Sequence, residues 1–139
     1  MQNPPHPGRR GTRIDHIGIA VRGLGESLPF YRDILGLVDV PLDDADGAKI
    51  AGLMAGPSLV ELLEAEAPDS PIAKFVAKRG PGIHHICFAV DDLDATLDRC
   101  RTHGVRLIDD APRVGAEGKR IAFIHPSSTS GVLVELTEH

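Results

Sequence analysis

The stretch RIDHIGIAV, Arg13–Val21, returns 69 residues later as GIHHICFAV, Gly82–Val90. The same offset pairs Leu24 with Leu93, Leu28 with Leu97 and Arg32 with Arg101. Further along, SLVEL at Ser58–Leu62 matches VLVEL at Val132–Leu136 in four of five positions, now at an offset of 74. Matches in the same order along both halves make the chain a tandem of one module. The growth of the offset puts extra residues in a loop of the second copy, for which the polar, glycine-containing DDAPRVGAEGKR is the candidate.

Each copy reads as strand, helix, then three strands. Residues 13–21 alternate as a strand, and Leu24, Leu28, Tyr31 and Leu35 then recur at helical spacing up to Gly36, the expected stop. Shorter β-like runs follow at 37–41, 48–54 and 58–63. The second copy repeats this with a strand at 83–90, a helix over 93–103 ending at Gly104, and strands near 106–109, 120–125 and 131–137. Between the copies, Asp69 or Ser70 as N-cap, Pro71 in the first turn and Gly80 as a stop predict a linking helix. The expected organisation is a flexible tail over 1–12 and a single domain over 13–139. Its module one covers 13–67, the linking helix 68–80 and module two 82–139.

Strict alternation along the first strand puts Ile14, His16, Gly18 and Ala20 on one face, with Ile17, Ile19 and Val21 on the other. In the second copy Ile83, His85, Cys87 and Ala89 share a face opposite Ile86, Phe88 and Val90. The larger apolar face suits packing against the helix that follows. The face bearing the histidine is lined by small residues and leaves room for a ligand. His85 is then the repeated histidine, while His84, whose counterpart is Asp15, is expected to point the other way. Glu61 and Glu135 repeat as well, each within an apolar strand, where a carboxylate needs a partner, a proton or a cation. A strand histidine or glutamate taken singly is more often a hydrogen-bonded or solvated residue. The repetition of both reverses that reading. Two histidines and two glutamates at equivalent positions suit a divalent ion such as Co, Mn, Ni, Fe or Zn, with coordination sites left for water or substrate.

The other candidates are weaker. His6, His103, His125 and His139 have no repeated partner, and Cys87, opposite Gly18 in the repeat, reads as small-residue filler. Cys87 and Cys100 lack metal-type spacing and read as free thiols of a reducing cytoplasm. A formal net charge of -5 with scattered basic residues argues against nucleic acid or an anionic membrane as partner. No apolar run reaches the roughly 18 residues of a bilayer span.

The stretches DHIGIAV, FYRDILGL, ELLEA, DSPIAKFVAKRGPGIHHICFAVDDL and GKRIAFIHPSSTSGVLVEL resemble the vicinal oxygen chelate superfamily, and within it the methylmalonyl-CoA epimerases. The resemblance implies an α+β fold of two pseudo-symmetric βαβββ modules forming a curved mixed sheet around a metal site. It implies as metal ligands His16, His85 and Glu135, with Glu61 at the fourth position. It also implies a homodimer in the cytoplasm that acts on an acyl-CoA substrate, epimerising C2 of methylmalonyl-CoA by 1,1-proton transfer. Glu135 would be one acid–base group. The family's second group is a glutamate before the third strand; VPLDDADGAKIAG has none, and Asp44 is the nearest substitute, with Asp43 and Asp46 close by. Glu117 stands where the family usually has histidine. Lys74, Lys78, Lys119 and Arg120 are candidate partners for the CoA phosphates, equally readable as solvated charges. The alternatives are an extradiol-type dioxygenase, a glutathione-dependent isomerase, or a small-molecule-binding dimer without metal chemistry.

Overall fold

A computed structural model describes residues 11–115 and 118–139. Most of the expected tail, and with it His6, lies outside the described residues, as does Glu117. The eight strands form one open, curved mixed sheet in the order β2-β3-β4-β1-β5-β8-β7-β6. Module one supplies β1 (Arg13–Val21), β2 (Val38–Val40), β3 (Ala48–Ala55) and β4 (Ser58–Ala65). Module two supplies β5 (Gly82–Val90), β6 (Arg113–Val114), β7 (Arg120–Ile124) and β8 (Val134–Glu138). The order is symmetric about the β1–β5 pair: β4 lies parallel to β1 on one side and β8 parallel to β5 on the other. The modules therefore join through one antiparallel ladder that runs from Arg13 opposite Ala89 to Ala20 opposite Gly82.

Two helices cover the outer apolar face, as the alternation predicts. Leu24 and Leu28 of α1 (Leu24–Leu28) pack with Ile19, Val21 and Leu62, and Leu93 and Leu97 of α3 (Leu93–Thr102) pack with Val90, Ile124 and Leu136. The glycines that end these helical segments, Gly36 and Gly104, have φ of 74° and 72°, the left-handed conformation that favours glycine. The linking helix α2 (Pro71–Arg79) begins at Ser70, whose hydroxyl accepts the Ala73 N–H at 3.2 Å. Ile72 and Phe75 of α2 pack against Ala20, Ala48 and Leu63, which closes one end of the concave face.

The structure departs from the sequence reading in three places. The helix expected over 24–35 is one α turn followed by wider turns over Pro29–Ile34, where the Leu35 N–H reaches the Phe30 carbonyl five residues back at 3.0 Å. Pro29 lacks the N–H that an α-helix needs there, and its ring crowds the preceding turn, which favours the wider winding. The strand expected at 106–109 is reduced to a bridge between Leu107 and Ile124; the edge strand is β6. The last strand starts at Val134, because Thr129–Val132 is a turn with the Val132 N–H on the Thr129 carbonyl.

Leu97 is fully enclosed by the module-two core. Leu97→Ala is expected to destabilise the protein by about 3 kcal/mol, within the usual range for a buried leucine, as a fall in the urea midpoint at unchanged slope.

Candidate functional site

The concave face holds a cavity of about 310 Å³ whose polar lining includes His16, His85, Glu61 and Glu135. All four side chains are buried. They come from the four central strands, where the register sets Glu61 beside Gly18 and Glu135 beside Cys87. His16 lies opposite Cys87 and His85 opposite Gly18, so each histidine faces the small residue of the other module. The fit is close at Gly18, where a Cβ would stand 2.2 Å from Cε1 of His85.

Three donor atoms form a near-equilateral triangle. His16 Nε2 is 3.1 Å from His85 Nε2 and 3.1 Å from Glu135 Oε1, and His85 Nε2 is 3.2 Å from Glu135 Oε1. Glu61 approaches from the other side, with Oε2 at 3.6 Å from His16 Nδ1. His16, Glu61 and His85 each offer an atom within 4.8 Å of the others, a set that could hold a metal ion. Asp15, His16 and Cys87 make a second such set. It is the weaker one, because burial pushes the Cys87 thiol up to about 12 and leaves a neutral sulfur.

Asp15 and His84 are where alternation fails. The β1–β5 register slips between Ile14 and His16, which leaves Asp15 as an extra residue in β1. It slips again between Gly18 and Ile19, which leaves His84 extra in β5. Both strands are therefore bulged at equivalent positions, immediately before the repeated histidine. A bulge brings consecutive side chains toward one face, so Asp15 and His84 line the cavity rather than the outer face, a correction to the expected direction of His84. Ile14 and Ile83, which alternation placed inside, are exposed. The bulged residues hold the histidines: Asp15 Oδ2 lies 2.8 Å from His16 Nδ1, and His84 Nδ1 lies 2.9 Å from His85 Nδ1. Each contact occupies Nδ1 and leaves Nε2 aimed at the triangle. The missed signal was a polar residue, in both copies, at a position that alternation assigned to an apolar helix contact.

The electrostatics suit a cation. Burial alone would push the His16 imidazole down, but hydrogen bonds to Asp15, Cys87 and Glu135, with the Glu61 charge, more than reverse this and hold the ring protonated. Burial likewise opposes the charge on Glu135, but hydrogen bonds from His16 and His85 take it down to about 2. The hydrogen bond to His16 lowers Asp15. His84, pushed down to about 4 by burial and then by the neighbouring His85, stays neutral.

The loop candidates separate. Asp44 accepts the Ile50 N–H at 3.0 Å and does not line the cavity, whereas Asp46, with φ of 53°, does. Arg113 and Lys119 also line it, Arg113 bridging to Asp109 at 3.2 Å and Lys119 standing 4.0 Å from Asp15. Arg120 is held on the outer side by Asp94 and Glu138.

The chain belongs to the glyoxalase/bleomycin resistance protein/dioxygenase superfamily, whose family model matches residues 15–123. It is 44% identical over 129 residues to the uncharacterized protein YqjC of Bacillus subtilis, a match covering 91% of this chain and 92% of that protein. It is 37% identical over 129 residues to the mitochondrial methylmalonyl-CoA epimerase of Dictyostelium discoideum, covering 91% of this chain and 78% of that protein. Among solved structures, a methylmalonyl-CoA epimerase in complex with methylmalonyl-CoA and NH4+ superposes with a TM-score of 0.85 at 40% identity, covering 93% of this chain and 95% of the other.

Gly18→Ala is expected to force the His85 ring off the triangle. Titration with Co(II) should show affinity reduced about tenfold or more, while circular dichroism shows the fold intact.

Proposed function

We propose that the chain is a divalent-metal-dependent isomerase that epimerises methylmalonyl-CoA, or a close 2-substituted malonyl-CoA, by 1,1-proton transfer at C2. The observation that carries this reading is the convergence of one histidine and one carboxylate from each module on a single cavity. The names of the epimerase relatives, and the ligand of the solved neighbour, support the substrate class. His16, His85 and Glu135 would hold the ion, with Glu61 on the fourth side. Their spacing fits, since donors on adjacent corners of an octahedron with bonds of about 2.1 Å stand about 3 Å apart. A mixed nitrogen and oxygen set suits Co, Mn, Ni, Zn or a similar ion, which supplies electrostatic stabilisation of the enolate charge.

The C2 hydrogen lies between a thioester and a carboxylate and is already acidic. Glu135, ionised and buried, accepts it from one face. A twofold axis lying in the plane of an enolate exchanges its two faces. Glu61, the repeat-related partner of Glu135, therefore serves the opposite face and returns the proton there. Asp44 is the other candidate for this step, although its carboxylate is engaged with the Ile50 N–H. Apolar side chains such as Ile50, Leu63, Ile121 and Phe123 line the cavity and exclude water from the carbanion. The free thiols Cys87 and Cys100 support a cytoplasmic site of action, and the exposed Phe30, Ile34, Leu35 and Val38 favour a homodimer.

NMR in D2O with separate (2R) and (2S) substrates tests the assignment. Wild type is expected to exchange and invert both epimers only with metal. Glu61→Gln should still exchange one epimer without inverting it, Glu135→Gln should do so for the other, and Asp44→Ala should keep inversion. Loss of inversion in Asp44→Ala with Glu61→Gln intact would move the second role to the loop. Absence of exchange with every divalent ion would overturn the reaction.

Metal binding is also expected to depend on pH. The ion must displace the Nε2 proton that the metal-free site keeps on His16, whereas Glu135 has none to lose above about pH 2. The association constant should therefore rise about tenfold per pH unit above neutrality, with about one proton released per ion. Calorimetry in buffers of different ionisation enthalpy measures both.

A further inference from the structure

Beside the cavity lies a groove of about 550 Å³ between α2 and the segment that leads into β8. Pro71, His84 and Leu133 line both spaces, so the groove adjoins the cavity at the mouth guarded by His84. One wall carries Lys74, Lys78 and Arg79, all exposed. None of the three makes an ion pair among the described residues, in a chain whose formal net charge is -5. By contrast, Arg101, Arg113 and Arg120 are each matched to a carboxylate.

Helix energetics account for only part of this arrangement. Lys78 and Arg79 lie in the last turn of α2, where a cation offsets the helix dipole. Lys74 lies one turn earlier, toward the positive end, where the dipole disfavours it, and shares a face with Lys78 at i, i+4, where like charges repel. Phe75 lines the same wall with Arg79 5.8 Å over its ring, and the exposed Ile83 and Val132 give the groove an apolar shoulder. The opposite wall is built in advance: His125 Nδ1 accepts the Ser127 N–H at 3.0 Å, the Gly131 N–H reaches the Pro126 carbonyl at 2.9 Å, and Ser130 is fixed at φ of 58°.

We propose that this groove binds the nucleotide end of the CoA thioester. Lys74, Lys78 and Arg79 take its phosphates, and the pantetheine arm passes over Ile83 and Val132 and beside His84 into the cavity. The proposal rests on the acyl-CoA reading above, and it explains why three like charges stand unneutralised on one short helix. It also gives the IHPSSTSG segment a role as the facing wall.

The test compares methylmalonyl-CoA with the methylmalonyl thioester of pantetheine, which lacks the nucleotide and its phosphates. Lys74→Glu, Lys78→Glu and Arg79→Glu are each expected to raise KM for the CoA thioester about tenfold with kcat unchanged, and to leave the kinetics of the pantetheine thioester unaltered. Arg99→Glu, an exposed reversal on α3, should change neither. Equal effects on both thioesters, or no effect on either, would overturn the groove assignment. Failure of wild type to epimerise either thioester would overturn the activity instead. Calorimetry with CoA itself would then decide the groove, in favour if the reversals weaken binding about tenfold and against if they leave it unchanged.

Discussion

The antiparallel ladder between β1 and β5 is the contact on which the rest of the molecule depends. It is the only strand pairing that joins the two modules among the described residues, and it carries both repeated histidines. With β4 and β8 locked parallel on either side, the ladder fixes four buried polar side chains within a few ångströms of one another. Burying two carboxylates and two imidazoles is costly unless their charges compensate. The hydrogen-bonded set meets this condition with a proton on His16 in the absence of metal. The same field recruits a divalent cation.

The paired bulges give that ladder its chemistry. A regular ladder would present one polar residue per module to the cavity. Displacing Asp15 and His84 onto the same side adds a hydrogen-bond partner to each histidine and fixes its ring. The two partners differ in charge, one an ionised carboxylate and the other a neutral imidazole. Two histidines at equivalent positions thus have unequal basicity, and the symmetry of the frame does not extend to its electronics. Gly18 and Cys87 show the same divergence, since one leaves space for a ring and the other fills it.

Much of this was legible in the residues because duplication supplies its own control. A histidine in a strand means little, but the recurrence of His16 as His85 and of Glu61 as Glu135 identified the converging set. Alternation correctly placed Ile19, Val21, Phe88 and Val90 against the helices. It failed at Asp15 and His84, because a bulge is a property of two strands together and leaves no mark on the period of either one. The end of the first helix was misjudged because Leu24, Leu28, Tyr31 and Leu35 fit α spacing, while Pro29 imposes a wider turn that keeps most of those contacts. Asp44 illustrates a different limit, since loop composition offers several carboxylates and only the fold decides which one is used to hold the backbone.

The site lies on the seam between the modules, and neither half contains it. Each module contributes one histidine and one carboxylate, and α2 ties the two across a single span. Anything that binds all four side chains therefore also fastens one half of the chain to the other, and its binding free energy adds directly to the cohesion of the seam. Occupancy and structural integrity are in this sense one equilibrium. If the connecting helix were severed, the halves would form a partnership whose affinity for each other was set by the concentration of the ligand they share.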